Sequence, residues 1–157
     1  MRQRAYKVYA IENGTVIDHI PTPRALQVVR ILGLGNQGIL TIGIGFASGR
    51  LPGGKDIVKI ENRELSKAET DTIALIAPDA TINIIKESSV AEKWTISLPE
   101  SVSGVLRCPN PNCATNKLGA PSHFTLEDRG RITYRCGFCE RVTTVEPDLL
   151  SGRVRLA

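Results

Sequence analysis

Cys108-Pro-Asn-Pro-Asn-Cys113 and Cys136-Gly-Phe-Cys139 decide how the last third of this chain folds. They contain all four cysteines of the sequence, as two close pairs separated by a middle stretch. That is the pattern of two knuckles closing on one tetrahedral metal. Zinc suits four thiolates because it is borderline-soft and has no redox chemistry. With Cys108, Cys113, Cys136 and Cys139 all as ligands, no coordination position is left for water or substrate, so the expected role is structural. Two disulfides would need an oxidising compartment, and the first residues show no apolar signal segment. A thioredoxin-like pair normally follows a strand and opens a helix, whereas Cys139 runs into Glu140-Arg-Val-Thr-Thr-Val145, which alternates like a strand. A rubredoxin-type iron site uses similar spacing and stays open beside zinc.

Working back from the cysteines, Pro99-Glu-Ser-Val-Ser-Gly104 reads as a domain boundary. Residues 104–157 hold short strand signals and turns, an all-β unit too small for a good core of its own. Such a unit depends on its metal, which can contribute about 10–16 kcal/mol to folding near neutral pH. Residues 1–98 read as a separate α+β domain. Tyr6–Ile11 and Thr15–Ile20 alternate like strands around Asn13-Gly14, the strongest short hairpin signal. Paired outward from that turn, Ile11 faces Val16, Tyr9 faces Asp18 and Val8 faces His19, with Asp18 and His19 on opposite faces.

Pro21-Thr-Pro23 breaks the pattern, and Ala25, Val28, Val29 and Leu32 then fall at helical spacing up to Gly33. Ile39–Phe46 and Lys55–Ile60 read as strands around a glycine-rich loop at 48–54. Ser66-Lys-Ala-Glu69 is a capping box opening a helix whose inner face is Ala68, Thr72, Leu75 and Ile76, stopped by Pro78. Thr81–Ile85 and Lys93–Leu98 are the last strands. This order predicts a mainly antiparallel, ferredoxin-like sheet with two helices on one face.

Composition narrows the function. The chain has 157 residues and is 41% hydrophobic, enough for a packed core, and no apolar run is long enough to span a bilayer. A cytoplasmic location is expected. The net charge is only +4, with 8 basic against 5 acidic residues beyond position 100. Four thiolates on a divalent ion cancel most of that local excess, and aromatics are 4%. Both facts weigh against nucleic acid, although Arg129, Arg131, Arg135 and Arg141 could line one side of a ribbon. Gly33-Leu-Gly-Asn-Gln-Gly38 matches a dinucleotide fingerprint, but a helix precedes it and a strand follows, the reverse of what that fold needs. No phosphate-loop lysine, nucleophile elbow or open metal site is present, so an enzyme is not expected.

Gly14-Thr-Val-Ile-Asp-His-Ile-Pro21, Lys55-Asp-Ile-Val-Lys-Ile-Glu-Asn62 and Cys108-Pro-Asn-Pro-Asn-Cys113 resemble, in order, the regulatory chain of aspartate carbamoyltransferase. The resemblance covers nearly the whole chain. It implies a non-catalytic subunit in pyrimidine biosynthesis, with an allosteric domain that binds CTP or ATP, and UTP in some members, with magnesium accompanying the triphosphate. It also implies a homodimer through the N-terminal domain, and a zinc domain that docks the catalytic chain and so bridges its trimers.

By motif, the implied effector site comprises Val8, Ala10, Ile11, Asp18, His19, Lys59, Asn83, Ile85, Val90 and Lys93. Backbone near Ala10 and Ile11 would read a base edge, Asp18 and Lys59 would hold the ribose, and Lys93 with His19 would neutralise phosphate. Asn110, Pro111, Asn112 and Glu140 are the implied docking contacts. Tyr9 and Ser88 depart from the best-known members, which carry a glutamate and an aromatic residue there. Taken singly, Lys59 and Asp18 also read as solvated strand charges, and His19 as a satisfied strand-end histidine.

Overall fold

Gly14 opens the strand that organises the N-terminal half, because nothing larger fits there. A Cβ at this position would lie 2.0 Å from the Ile60 carbonyl oxygen, and its φ of +139° is one that side chains rarely adopt. In this computed structural model, which describes residues 9–36, 38–146 and 149–150, the chain runs β1 (Gly14–Pro21), α1 (Ala25–Ile31), β2 (Leu40–Phe46), β3 (Lys55–Glu61), α2 (Lys67–Ile76), β4 (Thr81–Lys86) and β5 (Ser89–Thr95). These strands form one antiparallel sheet in the order β2-β3-β1-β4-β5. The first four strands in that order reproduce the ferredoxin-like arrangement, and β5 is an added edge.

β1 is therefore central, with β3 on one side and β4 on the other. The expected hairpin between Tyr6–Ile11 and Thr15–Ile20 does not form, since both edges of the second segment are taken. Asn13-Gly14 is a strand start pressed against β3: Gly14 stands opposite Glu61, and the Asn13 carbonyl accepts from Asn62 N–H at 3.0 Å. Val8, Tyr6 and Lys7 lie outside the described residues.

The helices cover one face of the sheet. Ile17 and Ile20 of β1, Val58 and Ile60 of β3, and Ile82 and Ile84 of β4 pack against Ala25, Val28 and Ile31 of α1 and Ile73, Ala74 and Ile76 of α2. Full burial of each of these larger side chains contributes about 1.5–3 kcal/mol. Two carboxylates are buried beside this core. Asp56 accepts from Thr22 Oγ1 at 2.6 Å and from the backbone N–H of Ala25 and Gly45 at 3.0 Å each, which ties β3 to the start of α1 and the end of β2. Glu69 completes the Ser66 capping box and is paired with Arg63. Ala68, expected on the inner face of α2, is exposed, and the covered band instead runs Glu69, Thr70 and then Thr72–Ile76. The helix begins with a turn that its cap, not its apolar pattern, orients. The last strand starts at Ser89 rather than Lys93, because Glu87 and Ser88 are both left-handed and form a tight turn pairing Lys86 with Ser89. The glycine fingerprint lies, as anticipated, between a helix and a strand.

The C-terminal strands β6 (Ser101–Ser103), β7 (His123–Asp128), β8 (Thr133–Cys136) and β9 (Val142–Thr144) form a second antiparallel sheet in sequence order. A single helical turn, α3 (Ala114–Lys117), interrupts what was expected to be wholly strand and loop. β6 lies inside the Pro99–Gly104 stretch. The second core is small: Val102, Leu106, Phe124 and Tyr134 with Cys108, Cys113 and Cys136. It reaches the first through α2, where Leu75 packs into the second cluster while Ile76 packs into the first. Tyr134 donates to the Pro99 carbonyl at 2.8 Å, and burial pushes its hydroxyl up to about 12. No helix among the described residues is long and apolar enough to cross a membrane.

Candidate functional site

The second sheet brings together four sulfurs that are distant in sequence. The Sγ atoms of Cys108, Cys113, Cys136 and Cys139 all lie within 4.8 Å of one another. Cys108 and Cys139 are 3.5 Å apart, and Cys113 and Cys136 are 3.8 Å apart. Both separations far exceed the ~2.05 Å of a disulfide. They approach the roughly 3.8 Å edge of a tetrahedron whose centre is about 2.3 Å from each sulfur. The donor set fits a thiophilic ion held by four protein ligands, with no ligand place left for a reactant.

Local hydrogen bonds shape each knuckle. Asn116 Nδ2 donates to the carbonyls of Cys108 and Asn110 at 2.8 and 2.7 Å, and Cys113 N–H donates back to the Asn110 carbonyl at 3.0 Å. In the second knuckle, Cys136 N–H donates to the Arg141 carbonyl and Gly137 N–H to the His123 carbonyl. The sulfurs are not alike. The backbone N–H of Arg141 lowers Cys139 to about 6, and the hydroxyl and backbone N–H of Thr115 lower Cys113. Burial pushes Cys108 up to about 12. Thiolate character thus starts on the two sulfurs that accept these hydrogen bonds, Cys139 and Cys113, and a bound cation would be needed to ionise Cys108.

Of the residues expected to dock a partner, Pro111, Asn112 and Glu140 are exposed around this centre. Asn110 is half-buried, with its Oδ1 accepting from Asn112 N–H at 3.0 Å. The arginine stripe is largely neutralised. Arg135 grips both oxygens of Glu127, Arg129 pairs with Glu100, and Arg131 with Asp128.

A second constellation lies on the face of the first sheet turned away from the helices. Ile17, Val58 and Ile82 stand in register and face the core, so the adjacent rows face outward. One outward row is Lys59, Val16, Asn83 and Lys93, and a second is Gly14, Ile85 and Val90. A third brings Asp18 opposite Thr81. The sheet thereby gathers Asp18, Lys59, Asn83, Ile85, Val90 and Lys93 on one face. Ile11 is buried and Ala10 exposed, in a segment whose Tyr9 carbonyl accepts from Lys59 Nζ at 2.6 Å. Burial lowers the Lys59 ammonium, while the charge of Asp18 opposes that shift. A groove of about 620 Å³ borders the Gly14 end of this face and shares Ile85 with it.

Asp18 and His19 do not point to opposite faces. The β1–β3 register shifts between Ile17 and Ile20, and His19 has φ +58°. This bulge lets Ile17 and Ile20 both face the core, so the two residues between them both face out. Asp18 is bridged by Lys55 Nζ at 2.9 and 3.1 Å and accepts from His19 N–H at 2.6 Å. His19 Nδ1 lies 3.1 Å from Thr81 Oγ1. Burial lowers the His19 imidazole, aided by Lys55, Arg50 and Lys93 and opposed by Asp18. Sequence reasoning missed Arg50, Lys55 and Thr81 here. The signal available was basic Arg50 inside the 48–54 loop and Lys55 just after it; Thr81 offered none, and the bulge that makes them neighbours is not local.

Residues 6–97 match the family model of the allosteric domain of the aspartate carbamoyltransferase regulatory chain, and residues 100–147 match that of its metal-binding domain. A regulatory chain of this enzyme from Methanothermobacter thermautotrophicus is 49% identical over 149 residues, covering 94% of each chain. One from Thermococcus gammatolerans is 46% identical over 150 residues, covering 94% of this chain and 97% of that one. One from Methanococcus maripaludis is 45% identical over 139 residues, covering 88% and 93%.

Proposed function

The chain belongs to the family of aspartate carbamoyltransferase regulatory chains, a non-catalytic subunit, and on that premise we infer that it binds nucleoside triphosphates on the outer sheet face and docks the catalytic chain through a zinc-held C-terminal unit. Residues 1–98 would sense CTP and ATP, with UTP as a further ligand and Mg²⁺ carried by the triphosphate. Residues 104–157 would join the catalytic trimers and bridge them, in the cytoplasm.

One observation carries the nucleotide assignment. Along the strands, the outer face changes from apolar at Ile85 and Val90, through Lys59 and Asn83, to the charged group of Asp18, His19, Lys55 and Arg50. Ile85 to Thr81 spans four residues of strand, about 13 Å. A base against Ile85, Val90 and the Ala10–Ile11 backbone would lay its ribose across Asp18 and Lys59 and its phosphates toward Lys93 and His19. Tyr9 and Ser88 flank the base end and would tune which base is preferred.

Zinc is favoured by four converging sulfurs with no other ligand type among them. Docking through Asn110, Pro111, Asn112 and Glu140 is supported by the exposure of three of them on a knuckle that the metal would stiffen. Homodimerisation of the N-terminal domain is supported by β2, the edge strand of this sheet among the described residues, with Ile44 half exposed and Ile39 exposed beside it. Regulation further requires that CTP and ATP favour different quaternary states, since equal preference shifts nothing.

Calorimetric titration of the metal-loaded chain with CTP and ATP tests the assignment. Saturable binding should weaken about tenfold or more in Lys93→Ala and in Lys59→Ala, each losing a charged hydrogen bond. Unchanged binding in both variants would remove the site from this face.

A further inference from the structure

Arg50 lies in the loop between β2 and β3, outside the set assigned to the nucleotide from sequence. Its guanidinium reaches the start of β4, where Nη2 donates to the Asp79 carbonyl at 3.2 Å and Nη1 to Thr81 Oγ1 at 3.5 Å. His19 Nδ1 shares that hydroxyl at 3.1 Å. A Thr81 oxygen that accepts from Arg50 can give its own hydrogen to His19 Nδ1, which leaves Nε2–H as the free donor of the imidazole.

Both acceptors of Arg50 are uncharged. Among the described residues it has no carboxylate partner, and Asp18, the acid of this cluster, is already bridged by Lys55. The remaining N–H groups of an exposed planar fork are therefore free. They extend from the Thr81 row, where Asp18 also stands, out to Asp79 before the start of β4, at the opposite end of the face from Ile85 and Val90. Lysine at this point would offer only a point charge, whereas a guanidinium can hold two oxygens of one phosphate.

We propose that Arg50 is a specificity-determining residue that reads the length of the polyphosphate, clamping the terminal phosphates of a nucleoside triphosphate on this face while Lys93 and His19 hold the phosphate nearest the ribose. The assignment rests on the nucleotide reading above. It deepens that reading by giving the β2–β3 loop a ligand contact that discriminates triphosphate from monophosphate.

Titration of the metal-loaded full chain with CTP, and with CMP by competition against CTP, tests it in wild type, Arg50→Gln and Arg50→Lys. Arg50→Gln should weaken CTP about tenfold or more, as expected for loss of a charged hydrogen bond. CMP binding should be unchanged, so that the preference for the triphosphate collapses. Arg50→Lys, which keeps the charge and loses the fork, should recover part of it. An unchanged ratio of CTP to CMP affinity in Arg50→Gln overturns the role of Arg50 and leaves the nucleotide face standing, as does an equal loss for both ligands. A wild-type chain that binds neither overturns both.

Discussion

The two sheets of this molecule reach order by different means. The N-terminal sheet is held by burial, with β1, β3 and β4 sharing one apolar face under two helices and buried Asp56 satisfied entirely by neutral donors. The C-terminal sheet has short strands and few large buried side chains, and three of its core members are cysteines. The first can hold a stable surface, as the proposed nucleotide face requires. The second has four converging sulfurs in place of a large core, so an ion would supply its rigidity, and that rigidity would suit the docking role proposed for it. They meet at α2, with Leu75 in one core and Ile76 in the other, at Leu150, which packs against both, and through hydrogen bonds from Tyr134 and Arg129 to the Pro99 and Leu98 carbonyls.

The contrast is broken most severely by metal removal, whose apparent worth in small cysteine-held domains is about 10–16 kcal/mol. Chelation should abolish amide protection across β7 and β8 while β1, β3 and β4 keep theirs, and emission of the single tryptophan, Trp94, should hardly change. Hydrogen exchange read by mass spectrometry would show the split, and uniform loss in both halves would refute it. Ile17→Ala is the mirror experiment. It should cost about 2–5 kcal/mol in the N-terminal half by opening a cavity, while metal content stays stoichiometric.

Asp56→Ala should be milder, at about 1–3 kcal/mol, because it strands the N–H groups of Ala25 and Gly45. Denaturant melts followed by Trp94 would measure it.

The smallest effect concerns His19. Its imidazole is held below the ordinary 6.5, chiefly by burial, so the unfolded chain takes up this proton before the folded one. Its contribution to stability is full above that value and is lost as pH falls through it toward the lower folded value. Melting midpoints at about pH 7.5 and 5.5 should therefore diverge less in His19→Gln than in wild type.

What was legible in the sequence follows a physical divide. The cysteine knuckles and the Ser66–Glu69 capping box are set by spacing within a few residues, and both stand as read. Asn13-Gly14 misled because its glycine answers to the Ile60 carbonyl across the sheet rather than to a turn. The bulge at Asp18 and His19 depends on register with β3, so no local alternation could announce that both face outward. Arg50 and Thr81 come together with His19 through three separate stretches of chain, and only the folded sheet joins them.

The division of labour can be tested in one measurement: CTP titration and co-elution with purified catalytic trimers, on the same chain before and after chelation. The chelated chain should still bind CTP with unaltered affinity yet elute apart from the trimers, and restored zinc should bring it back into the complex. Chelation that abolishes both properties, or neither, would contradict the separation of a burial-built sensor from a metal-built coupling.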